Sequence, residues 1–143
     1  MKPKVTVAVF VSAPIEKIWE RWTEPKHIMR WCFASDDWCA PRAENDLQVG
    51  GIFRTRMEVK DGSVGFDFEG TYTTMEKNKK LEYVLAGDDA RKVSIEFVEQ
   101  GDGYKVVEVF EAEAENSLEM QKNGWQAILD NFKKYAESDK TGL

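Results

Sequence analysis

Sulfur and imidazole are scarce in this 143-residue chain: it has two cysteines, Cys32 and Cys39, and a single histidine, His27. Two cysteines cannot build a disulfide framework, so free thiols in a cytoplasmic protein are expected. One histidine, with no carboxylate neighbour evident in the sequence, argues against a nucleophile–His–acid triad. Positive charge is also short. The net charge is −6 and the pI is about 4.9, which excludes nucleic acid and anionic membrane surfaces as partners. No apolar run is long enough for a transmembrane helix. Repeats and low-complexity stretches are missing too, and "VGGIF" lacks the spacing and the lysine of a phosphate loop. One domain spanning residues 1–143 is the expectation.

Aromatics are abundant, with five Trp and eight Phe, enough to build a packed core or the wall of a pocket. The opening "MKPKVTVAVFVSAP" alternates, placing Val5, Val7, Val9 and Val11 on one face, and reads as a strand and not a signal peptide. "SAPIEKIWERW" then starts a helix. Ser12 is a candidate N-cap, Pro14 suits the first turn, and Ile15, Ile18, Trp19 and Trp22 fall on one helical face. "TEPKHIMRW" predicts a short second helix near residues 25–30.

The middle of the chain predicts antiparallel strands. Asp61-Gly62 is a hairpin turn signal. Its register opposes Met57 to Phe66, Thr55 to Phe68 and Phe53 to Gly70 on one face, and Arg56 to Asp67 and Arg54 to Glu69 on the other. The charged residues are thereby expected to be cross-strand ion pairs on a solvated face, not a catalytic cluster. Three further strands follow. Leu81, Tyr83 and Leu85 alternate in the first, and Val93, Ile95 and Phe97 in the second. The last strand is open between two registers. A two-residue turn at Gly101-Asp102 puts Glu108 on the apolar face with Ile95, Phe97, Val106 and Phe110; a three-residue turn points it outward. An inward carboxyl would be desolvated, with a raised pKa.

Residues 117–138 predict a long helix whose stripe is Trp125, Ile128, Leu129, Phe132 and Ala136, with Lys133 and Lys134 near the C-terminus. Gly124 inside it suggests close approach of a neighbour or ligand. A curved antiparallel sheet with one apolar face and a helix with one apolar stripe are most economically combined by wrapping the sheet around the helix. The result is an α+β fold, with two short helices after the first strand.

"RWCFASDDWCAP", residues 30–41, concentrates Trp31, Phe33 and Trp38 with both cysteines and Asp36-Asp37. It follows the second short helix and precedes a strand at "DLQVGG". Six residues separate Cys32 from Cys39, which is neither the tight pair of a zinc knuckle nor C-x-x-C redox spacing. No metal and no cofactor are expected.

"VSAPIEKIWERWTEPKHIMRW", "DLQVGGIFRTRMEVKDG", "GFDFEGTYTTMEKNKKLEYVL" and "NGWQAILDNFKKYAE" together resemble the bacterial START-like (SRPBCC) family similar to the C-terminal domain of the activator of the heat-shock-protein-ninety ATPase. The resemblance covers nearly the whole chain and implies the helix-grip fold. In that fold the Trp31–Trp38 stretch lies at one end of the sheet, near a cavity mouth. The superfamily's range of functions leaves three readings. The first is a binding domain for a small hydrophobic molecule, lined by Phe53, Met57, Phe66, Phe68, Tyr72, Tyr83, Ile95, Phe97, Trp125 and Leu129, with Trp31, Phe33 and Trp38 at the entrance and Glu108 as a polar anchor. The second, suggested by the family name, is a co-chaperone-like module with a protein partner. The third is a cyclase- or dehydratase-type enzyme using Glu108 or Tyr72 as proton donor. No recognisable catalytic constellation supports the third.

Overall fold

In a computed structural model, which describes residues 2–138, alternating segments build a seven-stranded antiparallel sheet. The elements in chain order are β1 (Lys4–Val11), α1 (Ile15–Thr23), α2 (Pro25–Ile28), β2 (Trp38–Asn45), β3 (Ile52–Val59), β4 (Gly65–Glu76), β5 (Lys80–Leu85), β6 (Lys92–Gln100), β7 (Gly103–Glu111) and α3 (Leu118–Glu137). The sheet order is β1-β7-β6-β5-β4-β3-β2. Its curled concave face holds α3, and the two short helices lie between β1 and β2. Met1 and residues 139–143 of the expected domain lie outside the described residues.

The β3–β4 hairpin adopts the expected register, Met57 opposite Phe66 and Arg56 opposite Asp67. Arg54 Nε donates to Glu69 Oε1 at 2.7 Å, while Arg56 Nη1 lies 3.8 Å from Asp67 Oδ1. The charged face is therefore the outer one, and the face with Phe53, Thr55 and Met57 is buried.

Three local expectations are corrected. "DLQVGG" is not a strand: residues 46–51 form the turn between β2 and β3, and the strand comes earlier, over Trp38–Asn45. Ser12 does not cap α1; Pro14 occupies the N-cap position, and the Ser12 N–H donates to Glu137 Oε2 at 2.8 Å. Gly124 has open space where a Cβ would stand, so no neighbour requires it. By contrast, Ser117 does cap α3, its hydroxyl oxygen accepting from Met120 N at 3.1 Å.

α3 also protects an edge. β1 ends the sheet, and its outward backbone groups would otherwise be free to pair with another chain. Gln126 closes this edge twice, accepting from Ala8 N at 3.4 Å and donating to Ala8 O at 3.0 Å, and Lys133 Nζ donates to Phe10 O at 2.7 Å. The helix is thereby fixed in rotation, with Leu129, Phe132 and Ala136 buried on the sheet.

Candidate functional site

Between α3 and the concave sheet lies a cavity of about 250 Å³. Its walls come from every layer. Trp22 of α1 and Ile28 of α2 enclose one end together with Trp31 and Cys32 from the segment after α2. The sheet supplies Phe53, Thr55 and Met57 from β3, Phe66, Phe68 and Tyr72 from β4, Tyr83 from β5 and Glu108 from β7. α3 contributes Gln121, Trp125, Ile128 and Leu129, and Arg91 and Glu113 stand at the ends of β6 and β7.

The rings are locked by one another. Trp125 stacks on Phe110 with centroids 4.0 Å apart and planes at 10°, and meets Phe68 edge-on at 5.8 Å. Phe53 packs against Tyr83 at 4.6 Å and Tyr72 at 5.4 Å. Gly70 makes that possible, because a Cβ there would stand 2.7 Å from the Phe53 ring. Below the cavity, Trp31 Nε1 donates to Arg21 O at 2.8 Å, so the indole is fully partnered while its ring packs on Trp22 and Phe132.

The polar chemistry is concentrated in a few side chains. The turn at Gly101, with φ +60°, connects β6 and β7 so that Gln100 pairs Gly103 and Ile95 pairs Glu108. This is the two-residue register, and it turns Glu108 inward, 7 % exposed. Burial pushes its pKa up to about 8, and no hydrogen bond opposes the rise. Tyr83 is raised well above its ordinary value by burial first and by the Glu108 charge second. Burial likewise lifts Cys32 to about 12, with Glu108 again adding to it. Tyr72, lifted to about 12 by burial, donates its hydroxyl to Asn45 Oδ1 at 2.7 Å. Burial therefore favours the protonated forms of Glu108, Tyr83, Cys32 and Tyr72 at neutral pH. Arg91 Nε lies 3.0 Å from Asp89 Oδ2.

A family model described as "Activator of Hsp90 ATPase homolog 1-like protein" matches residues 12–137. The chain belongs to this family. Among solved structures, the AHSA1-like protein from Aeromonas hydrophila is 42% identical, with a TM-score of 0.88 over 94% of this chain and 92% of that one. Chr148 from Cytophaga hutchinsonii is 49% identical, with a TM-score of 0.77 over 95% and 92% of the two chains. CV1439 from Chromobacterium violaceum, at 19% identity, shares the fold with a TM-score of 0.85 over 96% and 99%. No curated protein matches the chain. The helix-grip architecture of the START-like proteins is thus the architecture of this AHSA1-like chain.

Of the residues singled out in the sequence, the AHSA1-like cavity brings together Trp31, Phe53, Met57, Phe66, Phe68, Tyr72, Tyr83, Glu108, Trp125 and Leu129. Four stand apart from its lining. Ile95 and Phe97 are buried in the core, where Phe97 packs edge-on against Trp19 and Trp22. Phe33 and Trp38 are half-buried, and Trp38 meets Phe66 edge-on at 6.2 Å. Trp31, placed by the sequence near the entrance, is 4 % exposed and belongs to the inner wall. Trp22, Ile28 and Ile128 were not singled out as lining, although Trp22 and Ile128 belong to the apolar stripes of the first and last helices.

The two cysteines differ. Cys32 is buried against the cavity and Cys39 is half-buried on β2. With a pKa near 12, Cys32 has almost no thiolate at neutral pH. A thiol reagent at pH 7.5 should therefore label Cys39 first and Cys32 only on unfolding, as read by intact mass with peptide mapping. Faster labelling of Cys32 would mean that the cavity opens readily to solvent. His27 is 1 % exposed, its Nδ1 2.6 Å from the Tyr135 hydroxyl and its Nε2 3.3 Å from Glu20 Oε1. Glu20, Glu24 and His27 bring their donor atoms within 4.8 Å of one another. Both histidine nitrogens are already engaged there, and neither cysteine takes part.

Proposed function

We propose that this chain, as one domain over residues 1–143, binds a small hydrophobic molecule in the cavity under α3. The observation that carries the reading is the cavity itself: about 250 Å³, walled by rings that hold one another in place, with the buried Glu108 carboxyl among them. Apolar area removed from water supplies about 25 cal/mol per Å² of affinity, and one or two polar groups orient the ligand. Glu108 and the Tyr83 hydroxyl are suited to that second task. In this reading Phe33 and Trp38 shape the approach beside Phe66, and Ile95 and Phe97 support the wall from behind. The fold family is one that generally takes hydrophobic ligands, which agrees with it.

The test is a thermal-shift screen with apolar compounds, followed by tryptophan fluorescence titration of each hit. A ligand at about 100 times its Kd should stabilise the protein by about 2.7 kcal/mol. Both signals should weaken in Trp125→Ala, because that ring forms part of the wall. A screen without a saturable hit would remove the reading.

The family description, together with the exposed Leu47, Val49 and Ile52 around the β2–β3 turn, favours a second reading, a co-chaperone-like protein-interaction surface. A pull-down with Hsp90, compared between the wild type and a variant with those three residues made polar, distinguishes it from the first.

A further inference from the structure

Eight of the residues lining the cavity are aromatic. The face of an aromatic ring carries negative potential and attracts a cation held within about 6 Å of its centroid. Among these rings sits Glu108, 7 % exposed, on the cavity wall and without a hydrogen-bond partner among the described residues. A buried carboxyl with no partner is unfavourable unless something arrives to pair with it. No lysine lines the cavity among the described residues. The single arginine there, Arg91, lies against Asp89 and also feels Glu113. The chain's net charge of −6 favours the approach of cations over anions.

We propose that the ligand is a small aromatic amine, bound as its ammonium cation among the rings with Glu108 as counter-ion. This rests on the ligand-binding reading above and names the class of molecule. Size agrees: a dry cavity of about 150 Å³ lined by apolar side chains admits benzene, so about 250 Å³ admits a ring with a short aminoalkyl chain. A carboxylate head group, by contrast, would form no ion pair with Glu108 and is not attracted by the negative faces of the rings.

The proposal carries a proton signature. In the empty cavity Glu108 holds its proton to about pH 8. An ammonium group beside it stabilises the carboxylate, so binding at pH 7 releases the Glu108 proton to solvent and leaves the amine protonated. The other titratable groups around the cavity stay as they are. Cys32, Tyr72 and Tyr83 keep their protons far above neutral pH, and Glu113 is held below the ordinary carboxylate range by its hydrogen bonds to Asn116. α1 and α3 present only Trp22, Gln121, Trp125, Ile128 and Leu129.

The experiment compares three ligands of nearly one shape: 2-phenylethylamine, propylbenzene and 3-phenylpropionate. Each is titrated calorimetrically into wild type and Glu108→Gln at pH 7, in two buffers of different ionisation enthalpy. In the wild type the amine should bind at least about tenfold more tightly than propylbenzene, with net proton release, and the propionate should be weakest. In Glu108→Gln the advantage of the amine should fall below about threefold and the proton release should vanish, while saturable binding of propylbenzene reports that the cavity is still formed. If propylbenzene binds but the amine is no tighter, or if its advantage survives in Glu108→Gln, the amine inference is overturned and the ligand-binding reading stands. If none of the three binds, both fall.

Discussion

Replacing Glu108 with Gln should flatten the pH dependence of stability above about pH 5. In the folded protein burial raises the carboxyl to a pKa of about 8, against 4.5 for the free group. Between those values the folded state binds more protons than the unfolded state, so stability falls as pH rises. The loss starts near the unfolded pKa and is complete above the folded one. At 1.36 kcal/mol per pKa unit the full difference is about 5 kcal/mol, an upper figure that water entering the cavity would reduce. Gln has the same shape and no titration. The variant should therefore be near wild-type stability at pH 5 and more stable than wild type by several kcal/mol at pH 9. The carboxylates with lowered pKa values, such as Glu69 beside Arg54 and Asp61 at the hairpin turn, lose their contribution only as pH falls through the acid range, so the two effects separate. Urea denaturation across pH 5 to 9 measures this. Parallel curves for the two proteins would show that Glu108 reaches water in the folded state.

Phe132→Ala should be among the most destabilising single truncations, at about 3–5 kcal/mol. Phe132 is fully buried on α3 and meets Trp22 at 4.8 Å and Trp31 at 4.9 Å, both edge-on. Removing it takes a ring that both tryptophans pack on, and Trp31 is kept from filling the space by the bond of its indole N–H to Arg21 O. Phe66→Ala offers the contrast. The hairpin pattern puts Phe66 on the apolar face, and by sequence alone its truncation would count as a core loss of the same size. The structure corrects this. Phe66 is on that face, but near the free end of the hairpin, where it is 49 % exposed. Its truncation should cost under about 1.5 kcal/mol, in proportion to the smaller area buried. Guanidinium denaturation of the two variants decides. A larger loss for Phe66→Ala than for Phe132→Ala would mean that the cavity mouth is closed over in solution.

What could be read without the fold depended on whether local signals agreed. In the β3–β4 hairpin, the Asp61-Gly62 turn, the apolar alternation and the opposed charges all demanded one register, and that register is present. The α3 stripe was legible for the same reason. β2 was not, because its sequence "WCAPRAEN" carries Pro41 and an irregularity between Cys39 and Arg42, which break the two-residue period that marks a strand. An edge strand tolerates both features, since one of its sides pairs with no neighbour in the sheet.

The sequence by itself determined most of the element types and their apolar faces, because these follow from periods of 2 and 3.6 residues in a single chain; the family was legible only through the resemblance of whole segments. It also named Glu108 as the carboxyl to watch. Tertiary structure alone decided the direction of that side chain, since one residue more or less in the Gly101-Asp102 turn would reverse the face of all of β7. It alone decided that Trp31 lies inside and Phe66 half outside, and that the space between sheet and helix is not filled. An apolar stripe reports which side of an element meets the interior. Whether side chains from α1, α3 and four strands fill the volume between them is a sum over distant residues, which no local pattern contains.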